Sequence, residues 1–186
     1  VKVLVRYNPH ADKELNKRQL EKLKQASDYI HQIGKKFIFE LLVPPEEKQL
    51  QSVDGNKERF EKELRPKLMI AAIKEIQNAG IEPDVWKIEG VDKVENSKAL
   101  VVQVQSNKRT AGIITLGRGE DESKVKEWLK VGAKVNGIIG FAVGRTVFWQ
   151  PMKELHEKNI SREQASQQVA HNFKTLVDLW NKERKK

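Results

Sequence analysis

The chain has 186 residues, a formal net charge of +9 and no cysteine. That length suits one domain, or two small ones, and falls short of the roughly 250 residues of a complete (β/α)8 barrel. The missing cysteines exclude a disulfide scaffold and any Cys-ligated zinc or iron–sulfur site, and no run approaches the ~18 apolar residues of a membrane span.

Residues 1–7 are apolar and β-branched and are closed by Asn8-Pro9, which predicts a first strand. Residues 12–33 carry Leu15, Leu20, Leu23, Ala26, Ile30 and Ile33 at helical spacing, with Gly34 as the stop. Residues 36–43 read as a second strand ended by Pro44-Pro45, and residues 52–57 as a loop. A helix is expected within residues 58–78, strongest from Pro66, because proline suits a first turn. Residues 84–89 form a third strand closed by Gly90, and residues 93–105 a helix. Residues 111–116 form a fourth strand closed by Gly117-Arg118-Gly119, with a helix over residues 121–131. Residues 137–143 form a fifth strand closed by Gly144-Arg145, followed by a short helix near residues 149–158. Ser161 and Gln164 make a capping box for a last helix to about residue 181, with Ala165, Val169, Phe173, Leu176, Val177 and Trp180 on one stripe.

Five strands, each followed by a helix, predict an α/β fold with a parallel sheet, read as a single domain over residues 1–186. Two architectures fit: a partial (β/α)8 TIM barrel of about five βα units, or a five-stranded doubly wound sheet. Both place ligand groups at the C-terminal strand ends, and periodicity does not choose between them.

The positive charge does not read as a nucleic-acid surface. Lys and Arg are interleaved with Glu along the helices, as in Lys13-Glu14, Glu21-Lys22 and Lys57-Glu58-Arg59, which gives solvated faces with i,i+4 pairs. The one concentrated run, residues 182–186, is terminal. The excess charge fits capture of an anionic small molecule. No nucleic-acid partner, no membrane and a cytoplasmic location are expected.

Strands of a parallel sheet are usually near-continuous apolar runs, so each ionisable residue in one needs a reason. Alternation puts Val85, Lys87 and Glu89 on one face of the third strand, Ile38, Glu40 and Leu42 on one face of the second, and Lys2, Leu4 and Arg6 on one face of the first. If these faces point the same way, Lys2, Arg6, Glu40, Lys87 and Glu89 converge. A lysine withdrawn from water beside other cations loses its proton readily and can attack a ketone to form a Schiff base, with a nearby carboxylate moving protons. The competing reading is a structural ion pair, Lys87–Glu89 or Lys87–Glu40.

Gly117-Arg118-Gly119 and Gly144-Arg145-Thr146 follow successive strands. Glycine lets backbone N–H groups approach an anion and arginine can grip a phosphate, although each loop taken singly is an ordinary tight turn. His10, His31, His156 and His171 have no metal-ligand spacing, and no metal or cofactor is expected. His10 follows a strand end and is a weaker candidate for lining the site. Trp86, Trp149 and Trp180 are expected in the core, and Trp128 on the apolar side of its helix.

The motifs Lys2-Val3-Leu4-Val5-Arg6-Tyr7-Asn8-Pro9, Phe39-Glu40-Leu41-Leu42-Val43-Pro44, Glu63-Leu64-Arg65-Pro66, Glu82-Pro83-Asp84-Val85-Trp86-Lys87-Ile88-Glu89-Gly90, Leu116-Gly117-Arg118-Gly119 and residues 140–149 occur in order. Together they resemble the C-terminal part of the aldolase-like domain associated with bacterial 5-dehydro-2-deoxygluconokinase, of myo-inositol catabolism. More distantly they are similar to tagatose-1,6-bisphosphate aldolase, a class I aldolase on a (β/α)8 barrel. The resemblance implies Lys87 as the Schiff-base lysine, Glu40 as acid/base and Lys2 as a second active-site lysine, with Gly144-Arg145 contacting phosphate. Arg6, Glu89, Gly117, Arg118 and Gly119 complete the candidate substrate-binding set. The implied reaction is cleavage of 2-deoxy-5-keto-D-gluconate 6-phosphate to dihydroxyacetone phosphate and malonic semialdehyde.

The alternative is a non-catalytic phosphosugar-binding domain associated with a carbohydrate kinase. A phosphorylated keto-sugar acid, a fused or associated kinase domain and a second copy of the chain are the expected partners. Full members of this family carry three more βα units ahead of the position of Val1, so the chain is expected to be the C-terminal part of a longer barrel.

Overall fold

The structure, a computed structural model, describes residues 1–119 and 121–184. Five strands form at the five expected places: β1 (Lys2–Arg6), β2 (Ile38–Leu42), β3 (Val85–Glu89), β4 (Gly112–Leu116) and β5 (Ile138–Ala142). All pairs are parallel and the strand order is β1-β2-β3-β4-β5. This order decides the architecture. A doubly wound sheet reverses its order at a switch point and so carries helices on both faces. A sheet that adds each strand on the same side, through crossovers of one hand, keeps its helices on one face. The chain is therefore an α/β fold of five parallel strands alternating with helices, built as an arc of a barrel.

The two sheet faces differ as that topology requires. Val5, Phe39, Leu41, Trp86, Ile88 and Ile113 point under the helices and are almost completely buried. They pack with Met69, Ile73 and Ile76 from α4 (Arg65–Asn78), Leu100 and Val104 from α5 (Val94–Val104), and Leu129 from α6 (Glu122–Ala133). The opposite, concave face carries Lys2, Leu4, Arg6, Glu40 and Lys87. There Leu4 is half-exposed while its neighbour Val5 is buried, the alternation expected of a strand covered on one side.

The helices begin where short polar side chains can satisfy their first amide groups. Asp12 accepts from the Leu15 N–H at 2.7 Å to start α1 (Lys13–Gln32), and Asp121 accepts from Lys124 N–H at 2.8 Å to start α6. The capping box at α8 (Arg162–Arg184) is formed: Ser161 N–H donates to Gln164 Oε1 at 2.8 Å and Gln164 N–H to Ser161 Oγ at 3.2 Å. Of the stripe on α8, Ala165, Leu176 and Trp180 are buried, whereas Phe173 lies half-exposed against the Phe141 ring. Lys185 and Lys186 of the terminal basic run lie outside the described residues.

Three local features depart from the sequence reading. A short helix, α2 (Glu47–Gln51), precedes the expected loop. The helix expected within residues 58–78 is compound: α3 (Lys57–Arg59), a π-helical turn (Phe60–Leu64) and α4 follow without a break. Finally, α7 (Arg145–His156) starts immediately after Gly144, so Arg145 is in its first turn. One consequence is a correction: Trp149 is 62% exposed and is not core, because its turn of α7 faces outward, whereas Trp86, Trp128 and Trp180 are buried.

Between Ile113 and Ile114 the β4–β5 register slips, Ile113 pairing with Ile138 and Ile114 with Gly140. Ile139 is the extra residue of this bulge, and its side chain lies where a Cβ on Gly112 would stand. No helix among the described residues is long and apolar enough to cross a membrane.

Candidate active site

Register places the ionisable strand residues in layers. Glu40 is paired with Leu4 on β1 and Lys87 on β3, so a carboxylate and an ammonium face each other across adjacent strands. Lys87 Nζ is 2.9 Å from Glu40 Oε1, and Lys2 Nζ is 2.5 Å from Glu40 Oε2. Glu40 is 7% exposed, Lys87 is largely buried and Lys2 is half-exposed. The carboxylate thus joins two lysines, each holding one of its oxygens. Burial alone would raise the Glu40 pKa. The hydrogen bonds from Lys2 and Lys87 and their charges outweigh it, and the carboxyl is held below its ordinary range.

A second cluster lies at the C-terminal ends of the strands. Glu89 follows Lys87 by two residues on the same face, about 6.6 Å further along the strand. It is 3% exposed, and its oxygens take the Val43 N–H at 3.0 Å and Arg118 Nη1 at 3.0 Å. Arg118 Nη1 also donates to Glu61 Oε1 at 2.9 Å. Arg65, fully buried, reaches the other oxygen of Glu61 at 2.5 Å and lies 3.5 Å from Glu89 Oε2. Burial works against the Arg118 charge, but Glu61 and then Glu89 outweigh it and hold the guanidinium above its ordinary pKa. Arg6, Lys57, Glu61, Glu89 and Arg118 line a cavity of about 540 Å³.

The two glycine–arginine loops meet. Arg118 and Gly119 both adopt the left-handed region, with φ of 49° and 82°. A Cβ on Gly119 would fall on the Arg145 guanidinium, so only glycine lets Arg145 lie across this turn and donate from Nη2 to the Arg118 carbonyl at 3.2 Å. Gly144 stands at the start of α7, and Gly117 is packed against Val143 and Val125. His10 lines a neighbouring cavity of about 740 Å³ with Gln49 and Lys67. Among the described residues, no group of three or more His, Cys, Asp or Glu is placed to hold a metal ion.

The structure therefore brings Lys2, Glu40 and Lys87 into contact and sets Arg6, Glu89 and Arg118 around one cavity, with Arg145 behind the Arg118 turn. Two further residues belong to this constellation, Glu61 and Arg65. Their signal in the sequence was an acid four residues before an arginine at the start of an apolar helix, a spacing shared by many exposed pairs. The π-helical turn that joins them to Arg118 has no comparable sequence signature.

A one-sided, sequentially ordered parallel sheet covered by helices on its other face defines a class by fold, the (β/α) barrel, and this chain matches about half of one. The structure of a Schiff-base-forming fructose-1,6-bisphosphate aldolase is similar with a TM-score of 0.59 and 16% identity, over 95% of this chain and 57% of that one. An archaeal fructose 1,6-bisphosphate aldolase is similar with a TM-score of 0.60 and 16% identity, over 96% of this chain and 56% of that one. The chain thus spans little more than half the length of either aldolase, and at such identity the likeness establishes the fold. The chain belongs to the family described as "Uncharacterized protein conserved in bacteria (DUF2090)", matched over residues 1–184. No curated protein matches it.

Proposed function

We propose that the chain carries the Schiff-base half of a sugar-phosphate aldolase active site, with Lys87 as nucleophile and Glu40 as proton shuttle. The observation that carries this reading is the Lys87–Glu40–Lys2 contact on the concave face of an aldolase-type sheet. Lys87, as the free amine, attacks the carbonyl carbon of a keto sugar. Loss of water from the adduct gives an iminium. The carbon–carbon bond then breaks as the substrate hydroxyl gives its proton to a carboxylate and its carbon leaves as the aldehyde product, while the electron pair of the broken bond passes into the iminium to form an enamine. Protonation of the enamine carbon and hydrolysis release the ketone product and restore Lys87. Glu40 lies 2.9 Å from Lys87 Nζ, within reach of the proton that the amine must shed. Lys2 keeps Glu40 ionised between turnovers.

The anionic end of the substrate belongs in the cavity shared by Arg6, Glu89 and Arg118, at the strand ends where barrels hold their ligands. Gly117, Gly119, Gly144 and Arg145 shape that end. The substrate we propose is 2-deoxy-5-keto-D-gluconate 6-phosphate, cleaved to dihydroxyacetone phosphate and malonic semialdehyde. The chain acts as the C-terminal part of a longer aldolase barrel, with a sugar kinase domain or a second copy as its partner. The test is release of dihydroxyacetone phosphate by the full encoded polypeptide. Glu40→Gln should lower kcat by about 10²–10⁴-fold, the usual contribution of a positioned acid/base. Cleavage undiminished in Glu40→Gln would contradict the reading.

One observation favours a second reading. Arg118 is already held by two carboxylates, as in a structural network. A non-catalytic phosphosugar-binding domain predicts protection against thermal unfolding by the phosphosugar with no turnover.

A further inference from the structure

The carboxylate of Glu61 occupies a place that an anionic ligand would be expected to take. It bridges two guanidiniums, with one oxygen 2.9 Å from Arg118 Nη1 and the other 2.5 Å from Arg65 Nη2. It lines the 540 Å³ cavity together with the cations Arg6 and Lys57. Unlike Glu89, which is 3% exposed and also tied to the Val43 amide, the Glu61 side chain is 22% exposed. It rides on the π-helical turn Phe60–Leu64 between α3 and α4. Such turns are single irregular insertions in a helix and are found frequently at functional sites. Behind it, the Nε of Arg65 is buried without a hydrogen-bond partner, so this guanidinium has donor capacity that the present arrangement does not use.

We propose that Glu61 is an internal placeholder for the anionic group of the ligand. In this account the phosphate or carboxylate of the ligand displaces the Glu61 carboxylate from Arg118 and takes its position, and the π-helical turn moves to release it. Glu89 stays in place and keeps Arg118 oriented. The site thereby excludes small anions that make too few contacts to compete with the tethered carboxylate, and favours ligands carrying a full phosphate. This inference rests on reading the cavity as a phosphosugar site.

Inorganic phosphate is the probe, titrated calorimetrically into the full encoded polypeptide as wild type, Glu61→Gln, Arg118→Ala and the double variant Glu61→Gln/Arg118→Ala. Removing a tethered competitor whose effective concentration is in the millimolar range should tighten phosphate binding by about tenfold in Glu61→Gln. The double variant should lose that gain. Because Glu61→Gln also weakens support for buried Arg65, a second measurement uses the unsubstituted full polypeptide alone. Saturating phosphate should speed amide hydrogen exchange across residues 60–64 as the turn lets go. Equal affinity in wild type and Glu61→Gln, both abolished by Arg118→Ala, would leave an anion site at Arg118 and overturn only the placeholder. Slower or unchanged exchange at residues 60–64 would also overturn it. Binding indifferent to Arg118→Ala would instead remove the cavity from the proposed function.

Discussion

Glu40 and Lys87 are register partners on neighbouring parallel strands, and their side chains meet at 2.9 Å on the face of the sheet that the helices leave open. The relationship follows from the period of a strand. Residues two apart share a face, and parallel neighbours in register bring those faces together. Lys2 enters from one layer further back along β1 and takes the second oxygen of Glu40.

That arrangement predicts how Glu40 titrates. Burial raises its pKa, while the hydrogen bonds from Lys2 and Lys87 and the charges of both lysines lower it by more. Lys2→Ala should therefore move the Glu40 carboxyl upward toward its ordinary range. Carbon-13 carboxyl shifts followed from neutral to acid pH measure this directly. A Glu40 titration unmoved by Lys2→Ala would show that Lys2 does not support the carboxylate.

At the opposite end of the strands, Asp84 is expected to contribute to acid stability. Burial opposes its charge, but Lys36 at 2.7 Å, the Phe37 N–H at 2.8 Å and His31 at 3.2 Å bring its pKa from 3.8 to about 2. The folded value is below the unfolded one. The stabilisation is therefore complete above the unfolded pKa and is lost as pH falls through the folded value. It is worth about 2 kcal/mol at most. Asp84→Asn should be less stable than wild type in urea at neutral pH, with the gap narrowing as pH falls from about 4 toward 2. A gap that does not change with pH would assign the effect to packing instead.

Two tryptophans make a paired test of the core. Trp86 is 0% exposed and packs on the Phe39 ring at 5.1 Å, while Trp149 is 62% exposed. Trp86→Ala should cost about 3–5 kcal/mol. Trp149→Ala should stay within about 0.5 kcal/mol of wild type. Denaturant midpoints for the two variants should separate widely, and similar losses would contradict the placement of α7.

Gly119→Ala tests the meeting of the two arginine loops. With φ at 82° and the Arg145 guanidinium where a Cβ would stand, alanine must strain the backbone and push Arg145 away. We expect a loss of about 1 kcal/mol or more, since an alanine forced to positive φ destabilises. Anion binding should weaken at the same time. Retained stability and retained anion affinity together would separate this glycine from the site.

Much of the fold was legible because its signals are local. Asn8-Pro9, Pro44-Pro45, Gly90 and Gly117 each close an apolar run, and five runs became five strands. Strand order was not legible, because no residue of β1 encodes whether β2 lies to its left or right. The observed order removed the doubly wound alternative. Trp149 was misplaced because residue type alone suggested burial, whereas the helix begins four residues earlier than its apolar pattern indicated and turns that side chain outward. In the site, the nearness of Lys2, Glu40 and Lys87 could be read from alternation. The grip of Glu61 on both Arg118 and Arg65 could not, since it depends on a π-helical turn and on contacts between residues up to 57 positions apart.

The proposed function turns on a covalent adduct between Lys87 and a keto-sugar phosphate. The full encoded polypeptide, incubated with dihydroxyacetone phosphate and reduced with sodium borohydride, reports this by mass spectrometry of its peptides. A stable reduced adduct is expected on the peptide containing Lys87 and none in Lys87→Met. No adduct on that peptide, with sugar-phosphate cleavage persisting in Lys87→Met, would contradict it.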